Sequence, residues 1–212
     1  MVAANSSSLQ MVGEEDTSKR RQILNGARKV FMDLGFDGAS MGEIARAAGV
    51  SKGTLYVYFA DKNRLFEAIV EETALEQGEI AFFDFDESGD AATALREFGA
   101  AYIGMLLRPE GGSAIRTVMA IAERMPDVGR RYYARVLDKS VKRLSGYLQA
   151  RVASGDLAID DCDLAASQFM ELCKASLFLP FVFQAAPAPS AQRMAEVIDS
   201  ATRMFLAAYR AK

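Results

Sequence analysis

The sequence of 212 residues contains no histidine, only two cysteines and only five prolines. Without histidine, the usual general base, the Ser-His-Asp and Cys-His nucleophile systems and most zinc sites are excluded. No phosphate-binding loop or cluster of metal ligands is recognisable in the remaining sequence. We therefore predict that the protein is not an enzyme and uses no metal or other cofactor. An all-helical enzyme is the weakest alternative.

The two cysteines are too far apart in sequence for a local cross-link. Cys162 and Cys173 are eleven residues apart, which in a helix corresponds to roughly 16 Å along the axis. That separation is too large for a disulfide. Two buried or half-buried thiols in a reducing cytoplasm are the simplest interpretation, and a redox-sensing thiol is the alternative.

Long apolar runs and a secretion signal are also missing. The most apolar run, residues 175–183, is about half the length needed to cross a bilayer and is interrupted by Pro180. The N-terminus lacks the basic and apolar regions of a signal peptide, and we predict that residues 1–17 form a disordered tail. We expect a soluble, cytoplasmic protein with no membrane partner.

Composition and periodicity favour helices throughout the chain. Half of the residues are apolar and a quarter are charged, while strand-like alternation is nearly absent. Apolar spacing and Gly or Pro breaks predict helices near residues 91–107, 112–124, 127–153, 161–184 and 191–210. We predict an all-α fold in which an N-terminal three-helix domain, residues 18–66, joins a larger helical domain, residues 67–212.

Charge is distributed unevenly between these two domains. Residues 18–66 carry nine Lys or Arg against four Asp or Glu, a net charge of +5. Residues 67–212 carry −5 and residues 1–17 carry −3. A basic unit on an acidic chain suits a protein that meets a polyanion at one end. Chance clustering is the alternative explanation for the same asymmetry.

The basic segment has the start and stop signals of two short helices. Apolar residues at helical spacing from residue 23 to residue 34 predict a first helix that ends at Gly35. Gly26 lies inside this helix despite its low helix propensity, which indicates tight packing. Ser40 and Glu43 have the capping-box spacing that starts a second helix.

The next residues have the spacing of a helix-turn-helix. Ala45 is small enough for two helices to cross closely, and Gly49 can adopt the conformation of a sharp turn. Val50 and Leu55 are apolar and predict the inward side of a third helix over residues 52–57.

The outward side of the third helix then carries a cation and several hydroxyls. Lys52, Thr54, Tyr56 and Tyr58 are suited to phosphate oxygens and base edges. Ser51 and Gly53 allow close approach of the backbone. The alternative is a surface helix with ordinary polar residues.

The stretch GEIARAAGVSKGTLYVYFADKNRLF follows a first helix that ends in LGFDGAS, and together they closely resemble the DNA-binding domain of the TetR (tetracycline repressor) family. The resemblance covers residues 19–66, and beyond it only length and helix layout match. It implies that Gly53 lies on the recognition helix and that Lys52 and Thr54 contact base edges. The implied phosphate contacts are Ser40, Ser51, Tyr56, Tyr58 and Lys62. Gly42 departs from the family, in which many relatives carry a longer polar side chain, so the second helix contributes less to base recognition here.

One recognition helix reads too few base pairs to select one site in a genome, and a homodimer meets this requirement. In the TetR family the final two helices of each subunit pair into a four-helix bundle. The last two predicted helices carry apolar stripes, from which we predict a dimer interface of Leu177, Phe181, Met194, Val197, Ile198, Ala201, Met204 and Phe205. The alternative is that these stripes complete the subunit core, and both roles are compatible.

The resemblance also implies that the larger domain holds a cavity for an effector that favours a DNA-incompetent conformation. The predicted effector-binding region consists of Phe98, Tyr102, Met105, Met119, Tyr133, Leu137, Phe169, Cys173 and Phe178. Aromatic and methionine side chains suit an apolar or amphipathic ligand. An ordinary helical core would show the same pattern.

The sequence therefore predicts a homodimeric transcriptional regulator, a repressor released from a palindromic double-stranded DNA operator by a small-molecule effector. The alternative is a helix-turn-helix protein that is controlled by a protein partner, or acts architecturally, without a small-molecule effector.

Overall fold

The structure is a computed structural model that describes residues 4–77, 80, 82–86 and 89–211. Its helices are α1 (Ala4–Gly38), α2 (Met41–Ala47), α3 (Lys52–Tyr58), α4 (Lys62–Gln77), α5 (Ala91–Leu106), α6 (Pro109–Ile121), α7 (Pro126–Tyr132), a π-helical segment (Tyr133–Asp138), α8 (Lys139–Ala153), α9 (Cys162–Lys174), α10 (Phe178–Val182) and α11 (Ala191–Tyr209). Within these residues, β-structure is limited to one isolated bridge between Leu157 and Arg210. The prediction of an all-α fold is confirmed.

The chain divides into two compact units, Met1–Glu72 (unit 1) and Thr73–Lys212 (unit 2). The division falls six residues later than the predicted boundary after Phe66, because the first turns of α4 belong to unit 1. There, Arg28 of α1 lies 2.9 Å from the Glu72 carboxylate.

The N-terminal segment differs from the disordered tail that we predicted for residues 1–17. Helix α1 begins at Ala4, so residues 4–17 are helical. The stretch from Leu9 to Gln22 is rich in Gln, Met, Glu, Lys and Arg, all of which favour helix. The helix kinks at Gly35, whose φ of 70° matches the predicted end of the first helix.

The core of unit 1 is formed where α1, α2, α3 and α4 meet. Ile23, Ile44, Leu55 and Leu65 are completely buried there. The approach of α1 to α2 depends on Gly26, since a Cβ at this position would lie 2.6 Å from the Ala48 backbone. The structure thus supplies the packing reason for a glycine inside a helix.

Unit 2 has a core formed mainly by α5, α8, α9 and α11. Side chains of Asp90, Asp161 and Ser190 accept hydrogen bonds from backbone N–H groups and so begin α5, α9 and α11. The packing is close at Gly99 of α5, where a Cβ would lie 3.0 Å from Ile198 of α11 and 3.1 Å from the Cys173 sulfur.

Two long helices predicted in unit 2 are interrupted. The predicted helix over residues 127–153 contains the π-helical segment Tyr133–Asp138. The helix predicted over residues 161–184 stops at Lys174, and Ser176 has a φ of 58° before α10 begins. Pro180 explains this break, because a proline ring clashes with the carbonyl four residues earlier in a continuous helix, here that of Ser176. None of the described helices is long and apolar enough to span a membrane.

Candidate nucleic-acid interface and ligand cavity

The turn between α2 and α3 is held by local hydrogen bonds. The Ser40 hydroxyl accepts a bond from the Glu43 N–H at 3.2 Å, and Glu43 accepts one from the Ser40 N–H at 3.0 Å. The Ser51 hydroxyl likewise accepts a bond from the Thr54 N–H at 3.0 Å. Gly49 makes the turn with a φ of 64°. Both serines predicted to contact phosphate therefore already serve as helix caps.

One side of α3 is exposed and carries polar side chains. Lys52, Gly53 and Tyr56 are exposed and Thr54 is half-buried, while Leu55 is completely buried on the opposite side. Val57 is 82% exposed and also belongs to this surface. We call these five residues, Lys52, Gly53, Thr54, Tyr56 and Val57, the recognition face. Sequence reasoning missed Val57, although a position two residues after an inward leucine must point outward on a helix.

The lysine of the recognition face lies across α2. A Cβ at Gly42 would lie 3.0 Å from Lys52 Cε and 3.3 Å from its ammonium nitrogen. The glycine that departs from the family pattern therefore leaves the space that the Lys52 side chain occupies.

Two predicted phosphate contacts are instead directed at α1. The half-buried Tyr58 faces the Asp16 carboxylate, and the interaction with this carboxylate raises the pKa of the Tyr58 hydroxyl. The Lys62 ammonium donates to the carbonyls of Phe36 at 2.9 Å and Ala39 at 3.1 Å. Lys62 thus binds carbonyl groups that follow the kink in α1, in the way that a cation favours a helix C-terminus.

Unit 2 contains a cavity of about 380 Å³ bordered by α5, α6, α7, the π-helical segment, α9 and α10. Five of the predicted effector-binding residues line it: Tyr102, Met119, Tyr133, Leu137 and Phe178. The other lining residues are mostly apolar: Leu106, Ile115, Val118, Ala122, Gly129, Tyr132 and Lys174. Tyr133 and Leu137 both come from the π-helical segment, a feature frequent at functional sites.

The other four predicted effector-binding residues do not line this cavity. Phe98 and Phe169 are completely buried, with their rings 5.4 Å from those of Phe85 and Phe205. Met105 borders a second cavity, of about 320 Å³. Cys173 is completely buried, and burial raises the pKa of its thiol to about 12. Helical spacing identifies a buried face without showing which part of that face borders a cavity.

Both cysteines are free thiols. Cys162 is half-buried, and its thiol pKa is raised by burial and by the neighbouring Asp161 and Asp163 carboxylates. Because the thiolate is the reactive form, these shifts make both cysteines poor nucleophiles near neutral pH.

Most of the predicted dimer interface packs inside its own subunit. Five of the eight residues are buried in the single chain: Leu177, Val197, Ile198, Ala201 and Phe205. Phe181 and Met194 are half-buried, and Met204 is 54% exposed. On α9, Leu164 is 53% exposed. The outward apolar surface of α9 and α11 therefore includes Leu164 and Met204.

The capped α2–turn–α3 unit with a polar recognition face defines a helix-turn-helix DNA-binding protein. The family model described as "Bacterial regulatory proteins, tetR family" matches residues 23–69. A second, described as "AefR-like transcriptional repressor, C-terminal domain", matches residues 93–211. The chain belongs to the TetR family of bacterial transcriptional regulators, and the resemblance stated from its sequence is confirmed.

Known transcriptional regulators are similar to this chain over most of their length. The HTH-type transcriptional repressor AcnR of Corynebacterium glutamicum is 28% identical over 190 residues, which cover 88% of this chain and 92% of AcnR. A solved structure described as a TetR-family transcriptional regulator from Mesorhizobium loti has a TM-score of 0.78 at 28% identity, covering 92% of this chain and 98% of that one. The flavonoid-responsive regulator FrrA has a TM-score of 0.74 at 27% identity, with the same coverage. These relatives are regulators and not enzymes, so the protein is a DNA-binding transcriptional regulator, as predicted.

Proposed function

We propose that the protein is a homodimeric repressor that binds a palindromic operator and leaves it when an apolar or amphipathic effector occupies the cavity of unit 2. The observation that carries this proposal is the recognition face, on which Lys52 and Tyr56 are exposed while Leu55 on the same helix is completely buried. The name of AcnR, a repressor, supports the direction of regulation.

The recognition face would divide its contacts between bases and phosphates. Lys52 can donate to the O6 and N7 atoms of guanine, and Thr54 can bond to several base edges. Tyr56 is placed to donate to a phosphate oxygen. The exposed Val57 offers an apolar contact to a thymine methyl group.

A dimer would place two recognition faces on two half-sites. Regulators of this family usually act as dimers, and the outward surfaces of α9 and α11 carry Leu164 and Met204 for such an interface. Because a two-fold dimer presents two identical faces, the operator should be an inverted repeat.

Effector control requires a ligand that binds one conformation of the protein better than the other. The cavity of about 380 Å³ falls within the size range of sites for drug-sized ligands. The name of the flavonoid-responsive FrrA supports control by a small molecule in a protein of the same fold.

Selection of bound sequences from a random DNA pool, followed by fluorescence anisotropy with the selected duplex, tests this function. We expect an inverted repeat, and a loss of affinity of about a thousandfold between ~50 and ~200 mM salt if six or more phosphates are neutralised. A flat salt response, or a strictly monomeric protein that selects no sequence, contradicts the proposal. Tight DNA binding that no small molecule weakens would instead favour control by a protein partner.

A further inference from the structure

The side chains that line the cavity in unit 2 restrict the chemical class of ligand that it can bind. Among the described lining residues, Lys174 is the one charged side chain, and the tyrosines at 102, 132 and 133 supply the hydroxyls. The remaining lining residues are aliphatic, aromatic, thioether or glycine. Most of a ligand's surface in this cavity would therefore contact apolar groups.

The positive charge of Lys174 is already paired with the carboxylate of Glu171. Its ammonium nitrogen lies 2.5 Å from a Glu171 carboxylate oxygen and 5.5 Å from the centre of the Phe178 ring. Lys174 thus already has a carboxylate partner, and a ligand carboxylate would lose its own hydration among apolar side chains. The cavity wall thus disfavours an anion, and no carboxylate among the described lining residues would receive a cation.

Tyr102 is a buried residue whose hydroxyl has no hydrogen-bond partner among the described residues. Tyr102 is 2% exposed and lines the cavity. No described residue accepts a hydrogen bond from it. Burial, aided by the Glu171 charge, raises the pKa of this hydroxyl, so it stays protonated and remains a donor at neutral pH. Because Tyr102 lines the cavity, an oxygen of a ligand bound there can accept a hydrogen bond from this hydroxyl.

We propose that the cavity takes an uncharged, largely apolar ligand with one hydrogen-bond acceptor, a carbonyl or ether oxygen, that binds the Tyr102 hydroxyl. This inference rests on the proposed function, since it names the class of effector for the same cavity. The Tyr102 hydroxyl favours a ligand with a hydrogen-bond acceptor. The apolar lining and the Lys174–Glu171 pair favour a ligand without net charge.

Three probes of one skeleton test both parts in the full-length protein. 2-Acetylnaphthalene carries a carbonyl, 2-isopropenylnaphthalene replaces that oxygen by CH₂, and 2-naphthoate replaces the acetyl group by a carboxylate. Their affinities are measured by displacement of the neutral fluorophore N-phenyl-1-naphthylamine. An Ala122→Phe variant, which fills the cavity, should abolish displacement and so locate the binding.

Tyr102→Phe removes the donor and keeps the ring. We expect the ratio of ketone to alkene affinity to fall about threefold to tenfold in this variant, the usual range for one hydrogen bond. An unchanged ratio overturns the assignment of Tyr102. If Tyr102→Phe does not fold, the ratio of ketone to alkene affinity in the wild type is used instead. A ratio no larger than the octanol–water partition coefficients of the two compounds predict would overturn the assignment of Tyr102.

The preference for an uncharged ligand is tested with 2-naphthoate and the variant Glu171→Gln. In the wild type, 2-naphthoate should bind at least about tenfold more weakly than the ketone, and Glu171→Gln should improve it about threefold by freeing Lys174. Naphthoate that binds the wild type as well as the ketone overturns the uncharged class. Fluorescence anisotropy with operator DNA measures in a separate experiment whether a bound ligand releases the DNA. If the ketone binds the cavity without releasing DNA, the proposed function is contradicted and this inference is not. If a charged ligand releases the DNA, this inference is contradicted and the proposed function is not.

Discussion

The recognition face of unit 1 and the cavity of unit 2 are built in different ways. In unit 1, the hydroxyls of Ser40 and Ser51 accept hydrogen bonds from backbone N–H groups three residues later, and these caps begin α2 and α3, the second of which carries the recognition face. In unit 2, the cavity is the space left between six segments whose buried side chains pack against one another. Local caps are enough to present a surface, whereas a cavity depends on the packing of a whole domain.

The largest effect should come from removing the recognition face while the rest of unit 1 stays intact. Replacing Lys52 and Tyr56 together by alanine should weaken operator binding by more than about a hundredfold, because each subunit of the dimer loses two DNA contacts. Both side chains are exposed, so helicity should not change. Anisotropy with the operator and circular dichroism measure the two quantities.

Lys139→Ala is the matched control for charge, since Lys139 is exposed in unit 2. It should leave operator affinity within about twofold of the wild type at moderate salt. Equal loss of affinity in the control and in the double variant would mean that general charge, and not the recognition face, binds the DNA.

The second effect concerns the close approach of α1 and α2. Gly26→Ala should destabilise the protein by up to about 3 kcal/mol, because the added Cβ would lie 2.6 Å from the Ala48 backbone, which cannot move aside alone. Gly146→Ala in α8 is the matched control, since no atom lies within 4 Å of a Cβ there. The control should stabilise by about 0.5–1 kcal/mol through helix propensity. Urea unfolding measures both, and a Gly26→Ala protein as stable as the wild type refutes the contact.

A third change separates two roles of Lys62. Lys62→Met should destabilise unit 1 by about 1–3 kcal/mol, because the carbonyls of Phe36 and Ala39 lose their donor. Lys29→Met, at an exposed site of α1, should change stability by less than about 0.5 kcal/mol. If Lys62→Met lowers operator affinity and leaves the unfolding curve unchanged, Lys62 binds phosphate, as the family resemblance implied.

The smallest effect is expected on the surface of unit 2, where Arg96 of α5 and Asp199 of α11 form an ion pair 2.8 Å long. The hydrogen bond from Arg96 lowers the pKa of Asp199 below its ordinary value of 3.8. A lowered folded-state pKa means that the pair stabilises the fold above pH ~4 and that this contribution is lost as pH falls through the folded-state pKa. Asp199→Asn should lower Tm slightly at about pH 7, and this difference should shrink as the pH falls below about 4. A difference in Tm that stays the same across this pH range would show that the carboxylate charge is not the cause.

Different parts of the molecule differ in how far sequence could predict them. The capping box at Ser40 and the turn at Gly49 were predicted because each depends on residues within one helical turn. The break at Ser176 was not predicted, although Pro180 explains it through a clash that reaches four residues back. The surroundings of Tyr58 and Lys62 lay beyond such reasoning, since Asp16 and the Phe36 carbonyl lie far from them in sequence, in two different parts of α1.

By itself, the sequence determined the all-helical class, the helix-turn-helix with its exposed Lys52 and Tyr56, and the family. These features rest on period, caps and turns, in which each residue acts on neighbours a few positions away. The packing of the helices places Tyr102 at the cavity of unit 2 and Phe98, one helical turn earlier on α5, away from this cavity. It also decided that Val197 and Phe205 serve the subunit core. Such assignments depend on which helices meet, and packing sets those distances only after the whole chain has folded.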